Sequence, residues 1–366
     1  MPLTGLKPLT DVGGGRLFVA AGPCAAESEE QVMDTALRLA DVGRVSVFRA
    51  GVWKPRTKPG GFEGVGERAL PWLGRVRHET GMPTATEVAT RAHVVKALES
   101  GVDMLWVGAR TSANPFAVQE IADTLADEGV AGEVPVMVKN PVNPDVELWI
   151  GALERLYNAG VRRLAAVHRG FSSYGTHLYR NPPQWHIAIE LRRREPGLPV
   201  ICDPSHIAGR SDLVGQVACQ AMDMGFDGLM VESHCCPEQA LSDSAQQLTP
   251  ESLAELIGGL KCLSGGTRAD VELERLRREI DGIDGDLLEL VERRMSVCRR
   301  IGEYKRKHNM AVLQMTRHNQ IMESQLAAAA RMGISSEFMT TFLRAIHEES
   351  VRQQVQVVSK TEGYGK

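Results

Sequence analysis

Residues 198–234 read LPVICDPSHIAGRSDLVGQVACQAMDMGFDGLMVESH, and this stretch decides the fold class. It opens with an apolar run at 198–202, continues with a segment of helical period, and ends with a second apolar run at 227–231. Continuous apolar strands joined by a helix are typical of a parallel sheet covered on both faces. Charged groups and metal-binding residue types follow each run directly, at 203–206 and at 232–234. The stretch therefore predicts one strand–helix–strand unit with functional groups at the carboxyl ends of its strands.

The same alternation fills residues 1–263. The other apolar runs lie at 16–21, 45–50, 83–86, 103–107, 134–138 and 163–167. The candidate helices lie at about 28–42, 66–80, 90–100, 114–129, 145–159, 182–194, 211–225 and 250–263. Eight such units in about 250 residues predict an α/β protein of the (β/α)8, or TIM barrel, type. A doubly wound open sheet is the alternative, but no glycine fingerprint follows the first run.

The pattern changes after residue 263. Residues 264–270 read as a linker, 271–357 as an all-helical domain, and 358–366 as a frayed tail. Apolar residues spaced alternately by three and four predict a long amphipathic helix with a packing seam, and further helices are predicted at about 316–331 and 335–357. Three helices with one long member rarely close a core alone. We therefore expect a homodimer or a higher homo-oligomer through this domain.

Composition excludes several classes of protein. The 366 residues carry a net charge of −4, which argues against binding to nucleic acid or to an anionic membrane. No apolar run approaches the roughly 20 residues of a membrane span, and the N-terminus lacks a signal-peptide pattern. The seven cysteines are an odd number scattered through a long chain, which favours reduced thiols. A cytoplasmic globular protein is therefore expected.

Cationic residues follow several of the predicted strands. In a (β/α)8 barrel the carboxyl ends of the strands form the functional face. Glu87 follows the third run, and six cations belong to the second, fourth, fifth and sixth: Arg49, Lys54, Arg56, Arg110, Lys139 and Arg169. Any one of them is equally well explained by solvation or by a neighbouring acid. Six at equivalent places indicate a polyanionic small molecule, with phosphate and carboxylate groups as the matching chemistry.

Four residues form a second set on the same face. Cys24, His206 and Glu232 follow the first, seventh and eighth runs, which become neighbours when a barrel closes, and Asp243 lies in the last loop. A thiolate, an imidazole and two carboxylates suit a divalent transition metal. Taken alone, Cys24 is equally a small buried residue and His206 a core histidine. The metal hypothesis depends on their convergence, which requires the barrel.

The barrel region resembles 3-deoxy-D-arabino-heptulosonate 7-phosphate (DAHP) synthase, in the shorter branch of that family. The matching motifs, in order, are Gly22-Pro23-Cys24, Lys54-Pro55-Arg56-Thr57, Gly108-Ala109-Arg110-Thr111, Val138-Lys139-Asn140, His168-Arg169-Gly170, Asp203-Pro204-Ser205-His206 and Val231-Glu232-Ser233-His234. The family condenses phosphoenolpyruvate with erythrose 4-phosphate, which is the first step of the shikimate pathway to the aromatic amino acids.

The resemblance also implies roles for the residues. It assigns Cys24, His206, Glu232 and Asp243 to a divalent metal ion, with Mn²⁺ expected and Co²⁺, Fe²⁺ and Zn²⁺ as alternatives. It assigns Arg49, Lys54, Arg110, Lys139 and Arg169 to phosphoenolpyruvate, with Lys54 also catalytic. Arg56 and Thr57 would hold the phosphate of the sugar, and Glu87 completes the substrate pocket. The alternative is the related 3-deoxy-D-manno-octulosonate 8-phosphate synthase, which has an Ala-Asn-Arg-type run where this chain has Pro55-Arg56-Thr57.

Polar residues also mark the helical domain. Arg294 interrupts the apolar seam, and a charge on a packing face is costly unless it is paired. Lys305 lies about three turns further on, hence on nearly the same face. Ser350 and Gln354 share one face of the last helix, and Arg277 and Arg317 lie on the other two helices. These residues suggest a site for a dicarboxylate. The alternative is a dimerisation coiled coil whose charges are solvated.

The helical domain resembles the all-helical chorismate mutase. The matching runs are 276–280, 283–284, 287–294, 301–305 and 349–354. That enzyme rearranges chorismate to prephenate without a cofactor. The resemblance makes Arg294, Lys305 and Gln354 catalytic, takes Arg277 from the partner subunit, and adds Arg317, His318 and Ser350 to the substrate pocket. Gln314 and His318 depart from the family, which often has acidic residues there. The sequence thus predicts a bifunctional enzyme with feedback regulation, or a barrel enzyme whose helical domain chiefly regulates and dimerises.

Overall fold

The computed structural model describes residues 3–10, 17–54, 60–175, 177–260, 271–313 and 315–359, without the side chains of 271–272 and 315–320. It divides the chain into two compact units, 1–265 and 266–366. The predicted linker at 264–270 lies outside the described residues, as does most of the predicted tail. In the described part, no helix is long and apolar enough to cross a membrane.

Eight parallel strands close into a barrel in chain order. They are β1 (Phe18–Gly22), β2 (Val47–Arg49), β3 (Thr84–Val88), β4 (Met104–Val107), β5 (Val136–Lys139), β6 (Leu164–His168), β7 (Val200–Cys202) and β8 (Gly228–Glu232). The first and last strands pair from Phe18↔Gly228 to Gly22↔Glu232. This closure confirms the (β/α)8 prediction and excludes the open sheet. It also makes β7, β8 and β1 neighbours.

Ten helices accompany the described strands. They are α1 (Glu29–Val42), α2 (Leu70–Thr80), α3 (Arg91–Glu99), α4 (Ala109–Ser112), α5 (Pro115–Asp127), α6 (Val146–Asn158), α7 (Trp185–Arg194), α8 (Pro204–Ala208), α9 (Ser211–Asp223) and α10 (Pro250–Gly259). Ser28 caps α1 by accepting a hydrogen bond from the amide of Gln31, and Gly43 ends it in the left-handed conformation. α7 begins three residues later than predicted, because the predicted start contains Pro182 and Pro183.

The strands are buried on both faces. Inside the barrel, Val47, Met104, Trp106, Ile201 and Met230 belong to one apolar cluster. Outside it, the other faces of the strands pack with the surrounding helices into a larger apolar layer. This double burial is the physical reason why the strands read as continuous apolar runs.

The second unit contains three described helices, α11 (Val271–Lys307), α12 (Met315–Arg331) and α13 (Ser336–Val358), as predicted. α11 and α13 approach closely at Gly302, where an added Cβ would lie 3.1 Å from the Cα of Gln354. Within the described part of the helical unit, the apolar seam near the start of α11 is exposed. Ile280 and Ile283 are 58% and 53% exposed.

Candidate active sites

A cationic cavity lies at the carboxyl ends of the strands. It is lined by residues at the ends of β3 and β5 and in the segments that follow β2, β4, β6, β7 and β8, namely Lys54, Glu87, Gly108, Ala109, Arg110, Lys139, Arg169, Arg180, His206 and Asp243. All of these except Gly108, Ala109 and Arg180 are sequence-predicted site residues. Arg56 and Thr57, the residues predicted to hold the sugar phosphate, lie outside the described residues.

Three predicted metal ligands meet beside this cavity. Donor atoms of Cys24, Glu232 and Asp243 all lie within 4.8 Å of one another. His206 lies outside this cluster, although its Nε2 is 3.7 Å from Oε1 of Glu232. Burial, together with Glu232, raises the pKa of the Cys24 thiol to about 12. A divalent cation reverses that preference, because it binds the thiolate and displaces the proton. The donor set therefore fits a divalent transition metal.

Asp203 orients His206. The Asp203 side chain caps α8 by accepting the His206 amide hydrogen bond at 3.0 Å, and its other oxygen lies 2.8 Å from Nδ1 of the same histidine. Burial alone would raise the pKa of Asp203, but His206 and Lys139 outweigh it and hold the pKa well below its usual range. A histidine whose Nδ1 faces a carboxylate presents Nε2 to the site, which is the arrangement found in many metal centres.

The buried cations alternate with acids. The Arg49 guanidinium lies 3.1 Å from Oε1 of Glu232 and 4.8 Å from the centroid of the Trp106 ring. Lys139 Nζ is 2.7 Å from Oδ2 of Asp203. Lys54 Nζ is 3.0 Å from Sγ of Cys24. Because Arg49 and Lys139 each lie beside a carboxylate, burying these two cations costs less than burying isolated charges.

Positive charge is crowded at the cavity mouth. Arg169 is only 8% exposed. Its pKa is lowered to about 10, first by burial and then by the nearby guanidinium groups of Arg180 and Arg110. An anion that binds among these arginines relieves the repulsion between them. The mouth is therefore suited to a phosphate or carboxylate group.

Two members of the site were not assigned from the sequence. Arg180 donates hydrogen bonds of 2.9 Å to Oδ1 of Asp243 and to Oε1 of Gln246. It lies in the irregular stretch between β6 and α7, twelve residues after the end of β6. The expectation that site residues directly follow a strand therefore did not identify it. Asp203 directly follows β7, and that signal was present in the sequence.

A second site lies between α11 and α13. Lys305 Nζ is 3.0 Å from Oε1 of Gln354 and 2.6 Å from the carbonyl oxygen of Val312. Arg294 donates a hydrogen bond to Oγ of Ser350. Lys305, Ser350 and Gln354 are all buried. The structure thus brings four predicted mutase residues together. The side chains of Arg317 and His318 lie outside the described part of the chain, and so does Gln314.

Arg277 does not join this group within one chain. It is exposed on α11 and pairs with Glu274 on the same helix. At 1.5 Å rise per residue, it lies about 25 Å along the helix axis from Arg294.

Comparisons with known proteins agree with this architecture. The model of the DAHP synthetase I family matches residues 9–263, and the model of chorismate mutase type II matches residues 276–355. The phospho-2-dehydro-3-deoxyheptonate aldolase of Thermotoga maritima is 33% identical over 253 residues, which cover 69% of this chain and 71% of the relative. The 2-dehydro-3-deoxyphosphooctonate aldolase of Desulfatibacillum aliphaticivorans is 30% identical over 268 residues, covering 67% and 90%.

Solved structures show the same relationship. A crystal structure of the Thermotoga maritima DAHP synthase superposes with a TM-score of 0.61 at 31% identity, over 69% of this chain and 71% of that chain. Both resemblances noted in the sequence are confirmed. The chain therefore belongs to the DAHP synthetase I family and carries a chorismate mutase type II domain after its barrel.

Proposed function

We propose that the barrel condenses phosphoenolpyruvate with D-erythrose 4-phosphate to give DAHP and phosphate. The observation that carries this proposal is the cluster of Cys24, Glu232 and Asp243 beside a cavity lined by cations. The donor cluster fits a divalent metal, and the cationic cavity fits two phosphorylated substrates. The family to which the chain belongs supports the same reaction.

The roles of the side chains follow from their positions. Arg110, Arg169 and Lys139 bind the phosphate and carboxylate of phosphoenolpyruvate, and Arg49, which is buried beside Glu232, adds positive charge to the same site. Burial would lower the pKa of Lys54, but Cys24, Glu87 and Glu232 outweigh it and raise the pKa, so the lysine keeps its proton beside Cys24 and is available as a catalytic acid. Cys24, His206, Glu232 and Asp243 would hold the metal, which supplies Lewis acidity to the aldehyde oxygen when bound.

The reaction joins the methylene carbon of phosphoenolpyruvate to the aldehyde carbon of the sugar. Positive charge develops at C2 of the enol phosphate, a water adds there, and the C2 hemiketal then expels phosphate. The fixed cations hold both reactants in attack geometry and stabilise the departing phosphate.

The substrate assignment is tested by phosphoenolpyruvate consumption with each aldose. We expect turnover with erythrose 4-phosphate, little with arabinose 5-phosphate, and loss of activity with a chelator that divalent metal restores. Octulosonate 8-phosphate synthesis is the second candidate, because relatives of that name are 27–30% identical to the chain. A preference for arabinose 5-phosphate would support it and contradict the first assignment.

We also propose that the helical unit rearranges chorismate to prephenate. In this pericyclic reaction the catalyst folds the substrate and stabilises charge on the breaking ether oxygen. Arg294 and Ser350 bind a carboxylate, and Lys305 and Gln354 donate to the ether oxygen. The 3.0 Å contact between Lys305 and Gln354 supports this pairing. Prephenate formation by the full chain tests the proposal.

The proposed mutase site is completed by a second copy of the chain. The uncovered apolar seam of α11 supplies the dimer surface, and Arg277 of each chain completes the site of its partner. A mixture of Arg277→Ala and Arg294→Ala chains, each inactive alone, should regain mutase activity after subunit exchange, because hybrid dimers contain one intact site. No recovery in demonstrably mixed dimers would place both arginines in one chain's site and contradict the proposal.

A further inference from the structure

Gln247 bridges the segments that carry two of the metal ligands, and it is only 2% exposed. Its Oε1 accepts a hydrogen bond from the Cys24 amide at 3.0 Å, and its Nε2 donates to the carbonyl oxygen of Ser242 at 2.9 Å. The ladder between β1 and β8 ends at Gly22↔Glu232, so the Cys24 amide lies beyond the last strand partner. The glutamine amide takes the place of that partner. One side chain thereby fixes the backbone of Cys24 and of the residue before Asp243.

Gln246 holds the other side of the cluster and is 1% exposed. Its Nε2 donates to Oε2 of Glu232 at 2.7 Å, and its Oε1 accepts from Arg180, which also contacts Asp243. Asp243 has a φ of 50°, in the left-handed region that residues other than glycine rarely adopt. Such a conformation persists where its surroundings hold it in place. The backbone N–H of Gln246 donates a hydrogen bond of 3.2 Å to the backbone carbonyl oxygen of Asp243, and this bond helps to hold the conformation.

We propose that Gln246 and Gln247 are positioning residues that set the geometry of the metal donors. The proposal rests on the metal centre proposed above. Glu232 and Asp243 are carboxylates whose pKa values are lowered, so bringing them together before the ion binds is opposed by repulsion, whereas the Cys24 thiol loses its proton only when the ion binds. Two neutral amides, each acting as donor and acceptor, hold them without adding charge. Neither glutamine lines the cationic cavity, so their action on the reaction is through the metal ligands.

Cobalt binding to the full chain tests this inference without any turnover. A thiolate–cobalt charge-transfer band reports ligation by Cys24, and competition with a chelator gives the Kd. We expect Gln247→Leu and Gln246→Leu to raise the Kd by about 10–100-fold, the usual cost of losing an outer-shell partner. Gln247→Leu should also weaken the charge-transfer band per bound cobalt, whereas Gln246→Leu should keep that band. Gln31→Leu is the matched control, because its side chain binds the Glu27 amide and contacts no metal ligand.

Gln247→Glu separates positioning from charge. It keeps an acceptor for the Cys24 amide, loses the donor to Ser242, and adds a negative charge near the ion. If charge alone governed affinity, this variant would bind cobalt more tightly, whereas positioning predicts weaker binding. Unchanged Kd and spectra in folded glutamine variants, checked by circular dichroism, would overturn the inference. Failure of the wild-type chain to bind cobalt through a thiolate would instead overturn the metal centre itself.

Discussion

At the scale of single residues, Cys24 is the donor on which the proposed metal binding depends most. Its thiolate is the one soft ligand of the set, and a serine hydroxyl is too weakly acidic to replace it. We expect Cys24→Ser to lower synthase activity more than tenfold and to leave mutase activity nearly intact. Phosphoenolpyruvate consumption and prephenate formation are measured on the same preparation. Full synthase activity that no longer depends on metal would contradict the assignment.

Asp203 matters for stability as well as for orientation. It is fully buried and contacts both Lys139 and His206. Asp203→Asn removes the charge that balances the buried lysine, and breaking a buried pair in this way typically costs about 3–5 kcal/mol. Urea unfolding in the presence of chelator measures the loss for the barrel. Asp212→Asn is the control, because its pair with Arg210 is exposed and its removal should leave the barrel transition unchanged.

Substitution of Lys305 or Gln354 tests the proposed mutase chemistry. In the proposed mechanism each donates to charge that grows in the transition state, and losing one such donor typically costs about 3 kcal/mol, or 10²–10³ in kcat. We expect Lys305→Ala and Gln354→Ala each to abolish most mutase activity with little change in helix content. Near-normal prephenate formation in both variants would favour the reading in which the helical unit only regulates and dimerises.

Site residues could be predicted from the sequence where their position follows from the end of a strand or from the periodicity of a helix. Lys54, Lys139, His206 and Glu232 each follow or end a strand, so the barrel rule brings them to one face. Arg180 could not be predicted in this way, because its position depends on how an irregular loop folds back over Asp243. The roles of Gln246 and Gln247 depend on individual side-chain contacts, one with Glu232 at the end of β8 and one with the amide of Cys24, which is 223 residues away in the sequence.

At the scale of elements, the contact between α11 and α13 depends on Gly302. An added Cβ would lie 3.1 Å from Cα and 3.2 Å from the carbonyl oxygen of Gln354, so the backbone of α13 would have to move. We expect Gly302→Ala to lower mutase activity roughly tenfold, which is about 1.4 kcal/mol in the barrier, because overpacking at this contact displaces Gln354 from the proposed mutase site. Gly285→Ala on the same helix is the matched control. Nothing lies within 4 Å of its added Cβ, and alanine there should stabilise the helix by about 1 kcal/mol. Equal activity in the two variants would contradict this packing argument.

The strands and the long helices were easier to predict than the short helices. Continuous apolar runs identified the eight strands, which are buried on both faces, and the helical period identified the long helices, whose apolar residues lie on one face. The short helices α4 and α8 were not predicted, since four or five residues are too few to show a period. α8 carries His206, so part of the site geometry was invisible to the pattern.

At the scale of the whole molecule, one chain carries the proposed first enzyme of a pathway and a later one. A product of the second reaction that binds one state of the protein better than another shifts the equilibrium between those states. We expect prephenate, bound to the helical unit, to inhibit DAHP synthesis. Coupling free energies of about 1–3 kcal/mol are typical, which corresponds to about a 5–150-fold change in affinity.

Deletion of residues 266–366 tests this coupling, because that range is one compact unit of the chain. The remaining barrel should keep synthase activity and lose inhibition by prephenate. Arg294→Ala in the full chain is a finer test, since it weakens the ligand site and leaves the chain length unchanged. Linkage is reciprocal for binding, so phosphoenolpyruvate should weaken prephenate binding by the same factor. Equal inhibition of the full chain and the isolated barrel, or no inhibition of either, would show that the helical unit does not transmit the signal.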